Sequence, residues 1–319
     1  MIISFYYGWK KIEPFHLGVG SKNLTVSIVV AVRNEEENIN SLVKNLKSQD
    51  YNSSLFDIII IDDHSIDNTL EILKNEKIKC SNLKISSLEK GVIGKKQAIL
   101  KAVKLSSSDI ILTTDADCKF SNSWISNMVN KFSNIDVNLI SGPVAYHLED
   151  TIFAKMQSSE FLSLVGSGAA CIGLNKPILC NAANMAYRRN VFLEVNDYKN
   201  NNVFSGDDVF LLHKIKNKYN GSILFLKSFE SIVYTSPQSN IKDFINQRIR
   251  WASKSNSYKD FDSIVVAFLV FLVNLSLVML LLLSPFSFFY FKYFILFFLI
   301  KLFCDYIFLK PFFLSVVKR

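Results

Sequence analysis

Ile110-Ile111-Leu112-Thr113-Thr114-Asp115-Ala116-Asp117 is the stretch that decides the fold. It opens as an apolar strand and ends on two carboxylates one residue apart. Upstream, Val26 to Val32 (VSIVVAV) is a continuous β-branched run, the mark of a strand buried on both faces. Phe56 to Ile61 is a second such run, ending at Asp62-Asp63, and Leu83 to Ile85 is a shorter one. Helical patterns alternate with these strands. Asn34-Glu35-Glu36-Glu37-Asn38 places acids in a first helical turn, and Ile39, Leu42, Val43 and Leu46 follow at helical spacing. Asp67 to Leu73 opens another helix, and Lys95 to Leu105 is a third. Strand–helix alternation predicts a parallel sheet covered on both faces, an α/β fold. Ligands of such sheets bind beyond the carboxyl ends of the strands, where Asp62, Asp63, Asp115 and Asp117 all fall.

The second half of the chain is less regular. Strands are expected over Val137–Ile140 and Ile223–Phe225, and helices over Thr151–Val165 and Asp208–Lys216. Ile241 to Trp251 reads as an amphipathic helix carrying Phe244, Ile245 and Ile249. Ile264 to Leu283 is an uncharged apolar stretch long enough for a transmembrane helix. Ser284-Pro285 breaks it. Phe286 to Leu309 forms a second span despite Lys292, Lys301 and Asp305, the last two being spaced to pair on one helix face. Cations gather before the first span (Arg248, Arg250, Lys254, Lys259) and after the second (Lys310, Lys318, Arg319), which puts both ends in the cytoplasm. Met1 to Trp9 is apolar and aromatic and ends at Lys10-Lys11. It is too short to cross a bilayer and lacks the marks of a signal peptide. It resembles the tail of a membrane helix whose start lies upstream, or an interfacial anchor. The expected division is an arm (1–24), a cytosolic α/β domain (25–240), an interface helix (241–260), two spans (264–283 and 286–309) and a cytosolic tail (310–319). That division describes a multi-pass protein of the inner (plasma) membrane.

The chain has 319 residues, 50% of them hydrophobic, with a net charge of +8. Its mean hydropathy of +0.22 owes most to the C-terminal end. The basic charge is scattered rather than gathered into an Arg-rich stripe, which favours an anionic lipid surface and a phosphorylated substrate over nucleic acid. Cys80, Cys118, Cys171, Cys180 and Cys304 are odd in number and form no C-x-x-C pair. That argues against a disulfide framework or zinc site and for a reducing compartment. His16, His64, His147 and His213 show no ligand spacing.

Asp115-x-Asp117 at a strand end suits a hard divalent ion, Mg2+ or Mn2+, that bridges the phosphates of a substrate. Asp62-Asp63 can accept hydrogen bonds from a base or ribose, or cap the following helix. Gly91-Val-Ile-Gly94-Lys95-Lys96 fails the phosphate-loop pattern, and G-x-G-x-x-G is absent, so a P-loop NTPase and a Rossmann dehydrogenase are excluded. Lys95 can still meet a diphosphate as a point charge. In Gly206-Asp207-Asp208 one carboxylate could take a proton from an acceptor hydroxyl, or the pair could cap a helix. In Gln247-x-x-Arg250-Trp251 the Arg fork matches a diphosphate and the indole offers a face to a sugar or acceptor chain. Both residue types are also common at a membrane interface.

In order and spacing, these elements resemble the membrane-bound, processive type of family 2 glycosyltransferase. That group includes cellulose, hyaluronan and poly-N-acetylglucosamine synthases and ceramide glucosyltransferases. The resemblance covers about residues 25–310. It rests on Ala31-Val32-Arg33-Asn34-Glu35-Glu36, Asp62-Asp63, Gly94-Lys95-Lys96-Gln97-Ala98, Asp115-Ala116-Asp117, Ala183-Asn184, Tyr187-Arg188-Arg189, Gly206-Asp207-Asp208 and Gln247-x-x-Arg250-Trp251. It implies a GT-A fold with a mixed, mainly parallel sheet and an inverting hexosyl transfer from a nucleotide-diphosphate sugar, a UDP-sugar first among candidates. By the resemblance, Asp62 or Asp63, with Glu35 nearby, holds base and ribose, and Lys95 lies near the donor. Asp115 and Asp117 bind the diphosphate through Mg2+ or Mn2+. Asp208 is the base, beside Asp207, and Gln247, Arg250 and Trp251 sit over donor and acceptor. The implied acceptor is a glycan or a lipid, with membrane lipid, a second copy or a synthase complex as further partners. The alternatives are single-sugar transfer to a lipid carrier and a non-catalytic subunit of a synthase. Asp207 stands where the family often has Glu, and Ala183 where Gly is usual.

Overall fold

The structure, a computed structural model, describes residues 1–15, 23–147, 149–196, 207–255 and 258–316. Gly206, Lys318 and Arg319 lie outside the described residues, as do the side chains of Asp207 and Lys254.

Four parallel strands form half of a seven-stranded sheet: β1 (Val26–Val32), β2 (Phe56–Asp62), β3 (Leu83–Ser87) and β4 (Ile110–Thr113). The other half is β5 (Leu139–Ser141), β7 (Met185–Arg188) and β8 (Ile223–Phe225), in the order β3-β2-β1-β4-β7-β5-β8. β7 runs antiparallel to both neighbours, so the sheet is mixed but mainly parallel. A second, two-stranded sheet pairs β6 (Val144–Tyr146) with β9 (Val233–Thr235).

The apolar runs split between two cores by strand alternation. Val26, Ile28, Val30 and Val32 of β1, with Ile58 and Ile60 of β2, face one core, while Val29, Ile59 and Ile61 face the other. Each fully buried Ile or Val contributes roughly 1.5–3 kcal/mol, so burial on both faces outweighs any strand signal from alternation. The first core is closed by α2 (Ile39–Lys47), α3 (Thr69–Ile78) and α5 (Trp124–Asn130). The second is closed by α4 (Lys95–Leu105) and α8 (Asp207–Lys218).

Two helix starts differ from the expectation. α2 begins at Ile39, because Asn34 adopts a left-handed φ of 56° and the acids bond across to the neighbouring loop. Glu36 accepts from the Asn68 backbone and side chain (3.0 and 2.9 Å), and Asn34 Oδ1 accepts from the Ile66 amide (2.9 Å). α3 likewise begins at Thr69, with Asp67 Oδ1 accepting its amide (3.0 Å). Short polar side chains that bond nearby backbone favour turns over helix interiors.

α6 (Ile152–Gly173) runs well past the expected end at Val165, and its glycines explain why. A Cβ on Gly173 would lie 2.1 Å from the Gly8 carbonyl oxygen, and one on Gly8 would lie 2.2 Å from that of Ala170. Gly8 belongs to α1 (Ile2–Lys11), the expected arm, which buries Phe5 and Trp9 against α6. The small residues permit backbone contact that their poor helix propensity alone would not suggest. α7 (Arg189–Val195) follows β7 directly.

α9 (Ile241–Ser255) leads to α10 (Phe261–Leu283) and α11 (Phe288–Val316). Among the described residues, Phe261–Phe286 is the one helix long and apolar enough to cross a membrane, with a mean hydropathy of 3.0 and none of its apolar window buried. α11 pairs Lys301 with Asp305 as expected (2.6 Å) and docks Phe308 and Phe312 beside α6 and α1.

Candidate active site

The strand order reverses between β1 and β4, and the crevice at that switch point is where doubly wound sheets bind ligands. Asp62 and Asp63 end β2 there and are buried. Asp62 Oδ1 accepts from the Ser65 amide (3.3 Å). Asp63 Oδ2 accepts from the Gly94 amide (2.9 Å), whereas its Oδ1 is buried without a protein partner. Gly94 has a φ of 105°, where a Cβ is strained, and from it α4 starts with Lys95 as its first residue. His64 also takes a left-handed φ of 58° as the chain turns out of β2.

Beyond β4, Asp115 forms an ion pair with Lys95 through Oδ1. Asp117 Oδ2 accepts from Thr235 Oγ1 (2.6 Å) at the end of β9. Glu35 belongs to the same electrostatic neighbourhood: burial and the charges of Asp117 and Asp115 raise its pKa, against a hydrogen bond from Asn38 that lowers it. The Lys95 side chain stays 45% exposed, and against some loss of solvation its pKa is raised mainly by the neighbouring charge of Asp115, with Asp208 and Cys118 adding to it. Its ammonium thus pairs with Asp115 and feels the charge of Asp208 at the start of α8.

Asp208 is held there from two sides. Its Oδ2 accepts from the Ala182 amide (3.2 Å) and its Oδ1 from the Val209 amide (2.9 Å). Ala182 is itself fixed to β4, its carbonyl accepting from Thr113 Oγ1 (2.7 Å). Asp208, Cys180, Asn181, Trp251 and Tyr258 share the wall of one cavity.

Other parts of the expected set have structural partners. Asn184 is fully buried: its amide donates to the carbonyls of Pro143 and Ser231 (both 2.7 Å) and its Oδ1 accepts from Trp124 Nε1 (3.0 Å). Tyr187 is buried and stacks on Phe192, and Arg188 donates to the carbonyls of Phe132, Asn134 and Val137. Within Gln247 to Trp251 the anchored cation is Arg248, not Arg250. Arg248 makes a two-point ion pair with Glu160 of α6, donates Nη1–H to Gln247 Oε1, and lies over the rings of Phe244 and Trp251 (4.3 and 4.4 Å). Trp251 faces Phe161 at 6.1 Å between ring centres, while Arg250 is exposed. Thr235, Asn181, Cys180, Glu160 and Tyr258 were not singled out from sequence. They come from segments without acidic or glycine signals, and only the fold brings them to the site.

Fold and site together define a glycosyltransferase of the GT-A fold. The chain belongs to glycosyl transferase family 2, whose family model matches residues 27–195, more than half of its length. Glycosyltransferase AglE of Haloferax volcanii is 26% identical over 182 residues, covering 57% of this chain and 58% of that protein. A poly-beta-1,6-N-acetyl-D-glucosamine synthase of Staphylococcus epidermidis is 29% identical over 173 residues, 51% and 40% of the two chains. A beta-monoglucosyldiacylglycerol synthase of Nostoc is 33% identical over 137 residues, 42% and 29%. The chain therefore spans less than two thirds of the length of these relatives. Among solved structures, the mannosyltransferase PcManGT of Pyrobaculum calidifontis, in complex with GDP-Man and Mn2+, superposes with a TM-score of 0.61 at 16% identity, over 81% of this chain and 72% of that one. S. aureus TarS 1-349 in complex with UDP-GlcNAc gives 0.50 at 20% identity, over 68% and 60%. At these identities the likeness is one of fold.

Proposed function

We propose that the protein transfers a sugar, with inversion, from a nucleotide-diphosphate sugar to a lipid or glycan acceptor at the cytoplasmic face of a membrane. The observation that carries this reading is the Asp115–Lys95–Asp208 neighbourhood at the switch point of the sheet, with the apolar helix α10 leading away from it.

The donor's base and ribose belong beside Asp62 and Asp63, whose unpartnered Oδ1 offers an acceptor for an N–H or O–H. Lys95 and the N-terminal amides of α4 suit the diphosphate. Asp115 and Asp117 supply hard oxygen donors. Mg2+ or Mn2+ is commonly held by one or two carboxylates plus substrate phosphates, a role these two would fill. When bound, such an ion would offset the charge that develops on the leaving diphosphate. Support for a divalent ion and a UDP- or GDP-sugar also comes from the ligands bound in the PcManGT and TarS complexes.

Asp208 then takes the proton of the acceptor hydroxyl. The freed oxygen attacks the anomeric carbon on the face opposite the diphosphate. The bond from that carbon to the phosphate oxygen breaks, and the nucleoside diphosphate departs with the electron pair. General base catalysis of this kind contributes about 10²–10⁴-fold. The Ala182 and Val209 amides hold the Asp208 carboxylate in place, so the base is set before the acceptor arrives.

Residues 25–240 act as the catalytic unit. α9 lies on the membrane surface, its exposed Ile241, Ile245 and Ile249 forming an apolar stripe, and α10 and α11 anchor the unit. A panel of nucleotide sugars, assayed for nucleotide release with Mg2+ or Mn2+, tests this function. Release that needs both a divalent ion and Asp208 supports it, and inertness toward every donor rejects it.

A further inference from the structure

A cavity of about 420 Å³ opens beside Asp208 and runs between α6 and α10. Its wall includes Val165 and Gly168 of α6, Trp251 of α9, and Val266 and Ala267 of α10. Its lining is mostly apolar, with Asp208, Asn181, Tyr258 and Ser263 among the polar exceptions. Gly168 lies where α6 approaches the 178–181 segment, and a Cβ there would stand 2.8 Å from the Leu179 carbonyl oxygen. Burial holds the Cys180 thiol well above its ordinary pKa, with the charge of Asp208 adding to the effect, so Cys180 brings no charge to the wall. The far side is built by α10, none of whose apolar window is buried, and Ala267 is itself exposed.

We infer that this cavity takes the hydrocarbon chain of a lipid acceptor, which slides in from the bilayer past Ala267 with its hydroxyl-bearing head at Asp208. This rests on the proposed function and narrows its acceptor from glycan or lipid to lipid. Three observations favour a hydrocarbon over a glycan. The wall has few partners for sugar hydroxyls, which would be buried unpaired. One end is the carboxylate assigned as base. The wall also includes Val266 and the exposed Ala267 of the apolar helix α10. The volume falls within the range of small-molecule sites and accommodates the part of a chain nearest the head rather than the whole lipid. For an alcohol that enters from water, each methylene drawn into the cavity strengthens binding about fourfold.

The test uses the purified full chain in nanodiscs and a long-chain alcohol carrying a mid-chain diazirine as probe. Illumination followed by peptide mass spectrometry is expected to place crosslinks on α6 and α10 around Val165, Val266 and Ala267. Unlabelled hexadecanol is expected to compete for them, and butanol is not. Ala267→Trp, at an exposed position that folding tolerates, is expected to cut the crosslinks about tenfold by closing the entry. A second measurement compares KM for alcohols of rising chain length, expected to fall stepwise in the wild type and to flatten in Ala267→Trp. Crosslinks spread evenly over the outer faces of α10 and α11 and unchanged by Ala267→Trp would overturn the inference, as would efficient crosslinking by a photoreactive oligosaccharide at the same residues. Neither crosslinking result depends on turnover, so failure of this inference is distinguishable from failure of the donor screen.

Discussion

The helix that carries Asp208 is tied to the start of α10 by one cation, and removing that cation gives a measurable prediction. Lys216 of α8 bonds Asp260 Oδ1 and Asp262 Oδ2, both at 2.7 Å. The side chains of Lys216 and Asp260 are only 14% and 4% exposed, so water does little to screen the pair. Lys216→Met leaves two carboxylates facing each other without their shared donor. Breaking a buried pair by removing one partner costs about 3–5 kcal/mol. Here the Ser263 amide and hydroxyl still donate to Asp260 Oδ2 (both 2.9 Å), and Lys176 still reaches Asp262 (3.3 Å). These remaining donors put the loss at the lower end, about 3 kcal/mol. At about 2–4 °C per kcal/mol for a domain of this size, Tm should fall by roughly 6–12 °C. Thermal unfolding in nanodiscs, followed by intrinsic fluorescence, reads this directly. Lys216→Met combined with Asp260→Asn and Asp262→Asn removes the uncompensated charge and should recover most of the loss. A Tm change below about 2 °C for the single variant, or no recovery in the triple one, would refute the reasoning. Burial alone would raise the pKa of Asp260, but the bonds from Lys216 and Ser263 outweigh it and lower the value. Its stabilisation is therefore present above the ordinary carboxylate range and fades as pH falls through the lowered folded value.

Gly173→Ala should unseat α1 from α6, because the new Cβ would meet backbone rather than a flexible side chain; limited proteolysis should then release the N-terminal segment faster than in wild type. Burial lowers the pKa of His213, despite the opposing charge of Asp260, and burial with Lys119 lowers that of His147. Both are held neutral, so unfolding midpoints should fall as pH drops below about 6.5, and His213→Asn should flatten that slope. Lys95→Met removes the partner of Asp115 at the diphosphate position and should raise the donor KM by about tenfold or more, with a smaller effect on acceptor KM, measured by initial-rate kinetics.

The parallel half of the sheet was legible because its strands are buried on both faces: Val26–Val32 and Phe56–Ile61 match the observed strands to within one residue. The carboxyl-end acids followed from that reading. In the rest of the chain β8 was expected at its observed bounds and β5 two residues early, whereas β6, β7 and β9, three or four residues each, are too short to show a pattern. α6 was expected to end at Val165 but runs on through Gly166, Gly168 and Gly173, whose missing Cβ atoms permit close packing. Within the site, carboxylates announce themselves, whereas Ala182 and Thr235 act through a backbone amide and a lone hydroxyl. The pairing of Arg248 with Glu160 joins residues 88 positions apart, and only folding brings them together.

Nucleotide release from a panel of UDP- and GDP-sugars, with wild type and Asp208→Asn compared under saturating Mn2+, tests the central claim most directly. Wild type should release nucleotide from at least one donor, dependent on the divalent ion, and Asp208→Asn should cut release by about 10²–10⁴-fold while lowering Tm by only a few degrees, because Nδ2 cannot accept from one of the two amides. Equal release by the two proteins would contradict it.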